Sequence, residues 1–180
     1  MKLSYRSQVL PSDPGRIKAL VQKTGFFIPE EIRIARELAE EHLAKGKESG
    51  YFFLFAEERQ GDGVDAVVLN IAASNIAAVN MVAYACYGPI PGTRAGFDLY
   101  WIAVDPACQD RGLGRELLRL VEQGVRCMGG ARLYIDTSSR EQYTPTRIFY
   151  ERCGYRQEAH LPDFYAPGDG KIIFCKLLPH

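Results

Sequence analysis

Val104-Asp105-Pro106-Ala107-Cys108-Gln109-Asp110-Arg111-Gly112-Leu113-Gly114 joins two segments of different periodicity. Before it, Phe97 to Val104 is apolar on both faces apart from Asp98 and Tyr100, the pattern of a central strand covered on both sides. After it, Leu113, Leu117, Leu120, Val121 and Val125 recur at helical spacing, predicting a helix from about Gly112 to Met128 that stops at Gly129-Gly130. Glycine lets backbone N–H groups approach a ligand closely. The first turn of a helix adds unpaired donors and the positive end of a dipole, so a strand–loop–helix of this kind is suited to hold a pyrophosphate. A capped turn without a ligand would use the same glycines.

On either side the chain alternates strands and helices. Leu3 to Val9 reads as a strand, Asp13-Pro14 opens a helix to about Lys23, and Pro29 opens another that ends at Gly46. In that second helix Ile32, Ala35, Leu38, Ala39 and His42 or Leu43 share a face. Tyr51 to Ala56, Met81 to Tyr87 and Arg132 to Thr137 read as strands. Thr144-Pro145 caps a short helix through Arg152, and strands near Tyr155 to Leu161 and Lys171 to Leu178 finish the chain. Residues 59 to 80 exceed a hairpin turn and read as an insertion, with Val64 to Ile71 a possible strand inside it, covering a sheet edge or a second copy of the chain in a homodimer. The order is mixed α/β, in one domain spanning residues 1 to 180.

Composition narrows the function. Of 180 residues, 47% are hydrophobic and 24% charged, which disfavours disorder and disulfide scaffolds. Twenty-two basic and 22 acidic side chains leave no global field to attract nucleic acid or anionic lipid. Cys86, Cys108, Cys127, Cys153 and Cys175 are widely spaced, with no Cys-x-x-Cys pair and no histidine at zinc-site spacing, so they read as free thiols in the cytoplasm rather than metal ligands. Ala66 to Thr93 carries no charge over 28 residues, but Asn70, Ser74, Asn75 and Asn80 interrupt it and Pro89 and Pro91 close it. A buried segment rather than a membrane span is expected.

One reading of Gly112-x-Gly114 is a dinucleotide fingerprint, with Asp136 as the ribose-binding acid. Against it, Leu117 stands where the third glycine belongs, seven residues separate Val104 from Gly112, and the unit comes late in the chain. The other reading rests on two motifs in order. Gln109-x-x-Gly112-x-Gly114 follows a strand ending Ile102-Ala103-Val104, and about 35 residues later comes Ile148-Phe149-Tyr150-x-x-x-Gly154-Tyr155. Together they resemble the GNAT superfamily of acetyl-CoA-dependent N-acetyltransferases, over nearly the whole chain.

The resemblance implies a strongly bent mixed sheet with helices on both faces. Its fourth and fifth strands splay around acetyl-CoA, the co-substrate, and an amine acceptor arrives from the other side. It implies cofactor contacts from Ile102, Val104, the backbone of Gln109, Asp110, Arg111, Gly112, Leu113, Gly114 and Arg115, and from Arg147. Nine arginines, no lysine and six acids between Gln109 and Arg156 agree with a phosphorylated ligand, as would a solvated helix face.

By the same resemblance Tyr150 is the donor to the departing thiolate. A phenol near 10 and a thiol near 8.5 differ by about 1.5 pK units, roughly 2 kcal/mol, so proton transfer is feasible. Asp98, six residues before Val104, occupies the place of the glutamate base of histone-type members, with Tyr100 or Tyr87 relaying through water as the alternative. Where many members carry asparagine and alanine, this chain has Tyr143 and Thr146, so one usual cofactor contact is missing. The acceptor is expected to be a small primary amine with a further polar group, such as an amino acid, lined by Phe27, Tyr87, Tyr100 and Tyr165, with its ammonium on Asp163 in a loop from Leu161 to Gly170. The alternatives are an acyl-CoA sensor without turnover and a protein or peptide N-acetyltransferase.

Overall fold

Pro14, Pro29 and Pro145 each lie in the first turn of a helix, where a missing N–H costs nothing and the fixed φ is already helical. The computed structural model describes residues 3–59 and 79–179. In chain order the elements are β1 (Leu3–Arg6), α1 (Asp13–Thr24), α2 (Pro29–Lys45), β2 (Phe52–Arg59), β3 (Val79–Pro89), β4 (Gly96–Val104), α3 (Leu113–Cys127), β5 (Arg132–Ser138), α4 (Thr144–Arg152), β6 (Arg156–Ala166) and β7 (Asp169–Leu177). The strands form one sheet in the order β1-β2-β3-β4-β5-β7-β6. Among the described residues β4 and β5 are the single parallel pair, and every other pairing is antiparallel. A doubly wound dinucleotide fold needs a mostly parallel sheet, so the fingerprint reading of Gly112-x-Gly114 falls here.

Two cores sandwich the sheet. On one face Leu113, Leu117, Leu118, Val121 and Val125 of α3 and Tyr150 of α4 pack on Ala85, Phe97, Leu99, Leu133, Ile135 and Phe174. On the other, Ile17, Leu20 and Val21 of α1 and Ala35 and Ala39 of α2 cover Phe53, Phe55, Tyr84, Cys86 and Ala103. His42 belongs to this inner face: its Nδ1 hydrogen-bonds with the Tyr51 carbonyl at 2.7 Å, whereas Leu43 is exposed.

Several sequence expectations shift. The first strand ends at Arg6 rather than Val9, because the chain turns there to bring Asp13 into the first turn of α1. The fully buried Asp13 carboxylate accepts the Leu10 N–H at 2.7 Å and pairs with Arg6 at 2.8 Å and Arg16 at 3.3 Å, and Glu57 shares both arginines. The expected loop from Leu161 to Gly170 is instead the end of the β6–β7 hairpin, turned at Pro167-Gly168. Leu161 faces Lys171 and Ala166 faces Asp169, so Pro162 to Tyr165 bulge out of the ladder. The uncharged run from Ala66 is described only from Val79, where it forms the buried inner strand β3; the suggested strand at Val64 to Ile71 lies outside the described residues. The flanking strands stay paired to their ends, Arg59 opposite Val79. Among the described residues no helix is long and apolar enough to cross a membrane.

Glycine spacing is tightest where β3 passes the turn before β2. A Cβ on Gly88 would collide with the Gly50 carbonyl oxygen, which is backbone and cannot swing aside. Gly88→Ala is expected to lower the unfolding free energy by about 2–3 kcal/mol, read from urea denaturation. Loss of less than about 0.5 kcal/mol would show that this approach does not constrain the sheet.

Candidate active site

The site begins where the β4–β5 ladder ends. β4 pairs with β5 only from Gly96–Arg132 to Leu99–Ile135. Beyond that point β4 continues to Val104 against β3, and β5 continues to Ser138 against β7. Tyr100 marks the change. Cys86 faces Trp101 and Tyr87 faces Leu99, which leaves Tyr100 as an extra residue, a bulge that bends β4 away from its parallel neighbour. The bulge also resets the phase of the strand. Phe97, Leu99, Ile102 and Val104 pack toward α3, while Tyr100, Trp101 and Ala103 pack toward α1 and α2. Two facing backbone edges, Tyr100 to Val104 and Asp136 to Ser138, thus border a cleft, and edge N–H and C=O groups need partners.

The loop after Val104 is built to present α3. The Asp105 N–H bonds the Val82 carbonyl at 2.8 Å; its side chain accepts the Ala107 N–H at 2.9 Å and Lys23 Nζ at 2.7 Å. Burial pushes the Asp105 carboxyl up, but those two donors outweigh it and leave it below its usual range. Cys108 is buried beneath the turn, and Gln109 Nε2 donates to the Val104 carbonyl at 3.4 Å. Asp110 and Gly112 take positive φ, 60° and 76°, and Gly112 caps α3 without a side chain, so the N–H groups of Leu113, Gly114 and Arg115 have no capping partner from it. A Cβ on Gly114 would lie 3.5 Å from the Phe149 ring and 3.6 Å from Val104, ordinary contacts that place this turn between β4 and α4.

The arginines are arranged otherwise. Arg111 and Arg115 are exposed, and Arg115 reaches the Cys153 thiol at the end of α4. Arg147 clamps α4 to β5, donating to the carbonyls of Ser138 at 2.8 Å and Arg140 at 2.9 Å and to Thr144 Oγ1 at 2.7 Å. Tyr150 is 5% exposed, ringed by Phe149, Tyr155 and Phe174 at 5.4, 6.1 and 5.8 Å. Burial raises its phenol pKa, so it is held as a protonated donor.

Asp98 opens onto the other face. Burial first, then the like charge of Asp136, push its carboxyl up to about 6, while Lys171 draws it back. No donor among the described residues is hydrogen-bonded to it, unlike Glu122, which takes Lys176 at 2.8 Å and the Tyr155 hydroxyl at 3.1 Å. Around Asp98 stand Tyr100, edge-on to Tyr51 at 5.4 Å, and Trp101, which Phe27 meets at 5.4 Å. Lys171 forms an ion pair with Asp136 and lies 5.0 Å over the Phe164 ring, which packs edge-on with Tyr165 at 5.0 Å. Tyr165 in turn lies within the field of Asp136, Asp169 and Glu31.

Two expected acceptor contacts are placed elsewhere. Tyr87 is buried under α3, on the face opposite Asp98, with its hydroxyl where a Cβ on Gly124 would fall. Opposite Leu99 rather than Tyr100, Tyr87 lies on the α3 face of β3, as Ala85 does two residues earlier. Asp163 is exposed at φ 53°, and its carboxylate accepts the Gly168 N–H at 2.6 Å, closing the hairpin turn. Asp136, Lys171 and Trp101 also line the Asp98 face, outside the sequence expectation for the acceptor. Alternation along the strands would have put Asp136 on the face of Asp98, but its pairing with Lys171 depends on a register that the sequence does not carry.

A family model for the acetyltransferase (GNAT) domain matches residues 50–157. The chain belongs to the GNAT family. A crystal structure of a Desulfovibrio desulfuricans protein assigned to that family is 44% identical, covers 99% of this chain and 100% of its own, and superposes with a TM-score of 0.87. An uncharacterized N-acetyltransferase of Methanocaldococcus jannaschii is 32% identical over 79 residues, 44% of this chain and half of the relative's length. A Salmonella typhimurium protein solved with its cofactor acetyl-CoA shares the fold at 18% identity and a TM-score of 0.68, over 100% of this chain and 96% of its own. In this GNAT chain Tyr143, at the position where many members have asparagine, donates its hydroxyl to the Phe26 carbonyl at 3.2 Å and so ties the start of α4 to the α1–α2 turn.

The raised Asp98 pKa has a consequence for stability. The folded state favours the protonated carboxyl, so Asp98 costs nothing below its unfolded value of 3.8 and destabilises increasingly as pH rises through about 6. Two pK units would be about 3 kcal/mol, reduced to about 1 kcal/mol by solvent at a half-exposed group. Asp98→Asn is therefore expected to be about 1 kcal/mol more stable than wild type at pH 8, with the difference vanishing by pH 4, in paired denaturation series. A variant less stable at pH 8 would mean that the carboxylate is structurally engaged.

Proposed function

We propose that this protein transfers the acetyl group of acetyl-CoA to a small primary amine. The observation that carries the reading is the cleft itself. An open β4 edge and an uncapped α3 N-terminus meet at its mouth, and a half-buried carboxyl without hydrogen-bond donors among the described residues lies on its far face. The open edge suits a ligand with amide groups, and the α3 turn suits a pyrophosphate. Acetyl-CoA supplies the activated acyl group as a thioester; the chain does the rest.

In this reading the backbone from Gln109 to Arg115 anchors the phosphates, and the β4 edge at Ile102 and Val104 holds the thioester end. Asp98 accepts the ammonium proton, directly or through water, so that the neutral amine attacks. Raising its carboxyl from 3.8 to about 6 narrows the gap to an amine by roughly 3 kcal/mol, yet leaves it ionised at pH 7 to 8. A β4 backbone N–H polarises the thioester carbonyl, and Tyr150, protonated by virtue of its burial, donates to the departing thiolate. Arg147 contributes by fixing α4 to the end of β5, and Arg115 by linking α3 to the end of α4. Aromatic rings at Phe27, Trp101, Tyr100, Phe164 and Tyr165 enclose the acceptor, and Asp98 with Asp136 provides the negative charge that Asp163, engaged in the hairpin turn, does not. Burial of Tyr150 in the core supports one rival, an acyl-CoA-binding protein that does not turn over.

Acetyl-CoA at 100 times its dissociation constant is expected to add about 2.7 kcal/mol of stability, seen as a raised Tm, and Gly114→Val to abolish the shift. Tyr150→Phe should retain the shift but lose roughly tenfold or more in turnover. Thiol release with a panel of amino acids, polyamines, aminoglycosides and peptides decides between the readings: none with any amine sinks the enzyme, and release with a peptide alone sinks the small acceptor.

A further inference from the structure

Lys171 lies outside every role assigned so far and Asp136 has only a share in the acceptor's negative charge, yet their place in the sheet brings both to Asp98. In the β4–β5 ladder Asp98 faces Tyr134, so Asp136, two residues on, shares its face at the first position beyond the end of the pairing. In the β5–β7 ladder Ser138 faces Lys171 and Asp136 faces Ile173, which sets Lys171 diagonally across from Asp136 on that same face. The two form an ion pair, and Phe164, from the β6 bulge, covers the lysine ammonium at 5.0 Å. The aromatic cover fixes the lysine where it opposes both carboxylates. Asp98 thus faces one negative and one positive group held to each other, at the apex of the cleft.

We infer that Asp136 and Lys171 are positioning residues for Asp98: held together beside it, their opposed charges adjust in opposite directions the pH at which that carboxyl exchanges the acceptor's proton. The inference rests on the reading of Asp98 as the base. Other groups around Asp98 contribute less. The Tyr100 phenol on β4 is pushed up to about 12 and is uncharged at neutral pH, while Tyr134 and Arg132 on β5 lie against Cys175. Tyr51 packs on Tyr100, while Glu31 and Asp169 reach Tyr165 rather than Asp98. The acidic Asp136 disfavours the ionised Asp98 and Lys171 favours it, so removing either should have opposite effects. A role confined to holding the strands together would give no such change of sign.

The test reads Asp98 directly, by carbon-13 NMR titration of its side-chain carboxyl in the full chain, assigned by the signal missing in Asp98→Asn. Asp136→Asn is expected to move the midpoint down by about one unit, because it removes a like charge and frees Lys171; Lys171→Met should move it up by a similar amount, and Lys171→Arg should leave it near wild type. Lys171→Gln replaces Lys171→Met if the latter does not fold. Midpoints that stay within about 0.2 units of wild type, or move in the same direction, overturn the inference. The acidic limb of kcat/KM, measured on the same proteins, should follow the NMR midpoints. Opposite NMR shifts with an unmoved limb would keep the pair's effect on Asp98 and remove Asp98 as the base; a limb that tracks them supports both.

Discussion

Pairing between β4 and β5 stops at Leu99–Ile135, and the rest of the site depends on that stop. Two parallel strands would ordinarily gain a hydrogen bond for each further residue they align. Here they are pulled apart by partners on their outer sides, β3 holding Val104 opposite Ala83 and β7 holding Ser138 opposite Lys171. The bulged Tyr100 accommodates the bend and delivers consecutive residues, Tyr100 and Trp101, to one face. Backbone left unpaired along the cleft is a standing cost that a bound extended ligand relieves, which couples ligand affinity to the geometry of the sheet.

Keeping the cleft open requires both of its sides to be anchored. On the β4 side Lys23 ties the end of α1 to Asp105, while the Arg6, Asp13, Arg16 and Glu57 cluster fixes the start of α1 to β1 and β2, and Arg16 also donates to the Val79 carbonyl at 2.8 Å. On the β5 side Ser138 donates to Asp169, Arg140 pairs with Asp169 at 3.0 Å, and Arg147 draws in two nearby carbonyls. These buried charges add little net stability, since desolvation offsets much of the Coulomb gain. Their effect is on geometry. Loss of one partner would leave an uncompensated charge, so the arrangement tolerates little displacement.

Local signals made most of the fold legible. Proline and glycine at helix ends, helical spacing in α3, and the two-sided apolar pattern of β4 fixed the element order to within a few residues. The glycine loop and Asp98 stood out because each breaks its surroundings, glycines at a helix start and one acid in an apolar strand. Non-local geometry was not legible. The Tyr100 bulge sets Tyr87 opposite Leu99 on the α3 face, whereas an unbroken register from Cys86–Trp101 would have set it opposite Tyr100. Asp163 looked available as an acid beside aromatics until the hairpin turn claimed it, and Lys171 reaches Asp136 only through the β5–β7 register. Arg147 donates to backbone carbonyls that no sequence pattern links to it.

The acids of this protein separate by what satisfies them. Asp13, Glu57, Asp105, Glu122 and Asp169 are buried, and each has cationic or hydrogen-bonding partners. For Glu57 and Asp105 those partners outweigh burial, and both carboxyls sit below their usual range. Glu57 and Asp105 are thereby held in the charged state and exchange no proton near neutral pH. Asp98 is less buried, has no hydrogen-bond donor among the described residues, and is shifted in the opposite direction. A structural role would select for donors around it, or for an apolar side chain of similar size, since either removes the burden of a poorly solvated carboxylate. Retaining the acid without donors is consistent with a group whose partner arrives from outside, and an ammonium approaching along the aromatic face would both satisfy the charge and place a proton within its reach.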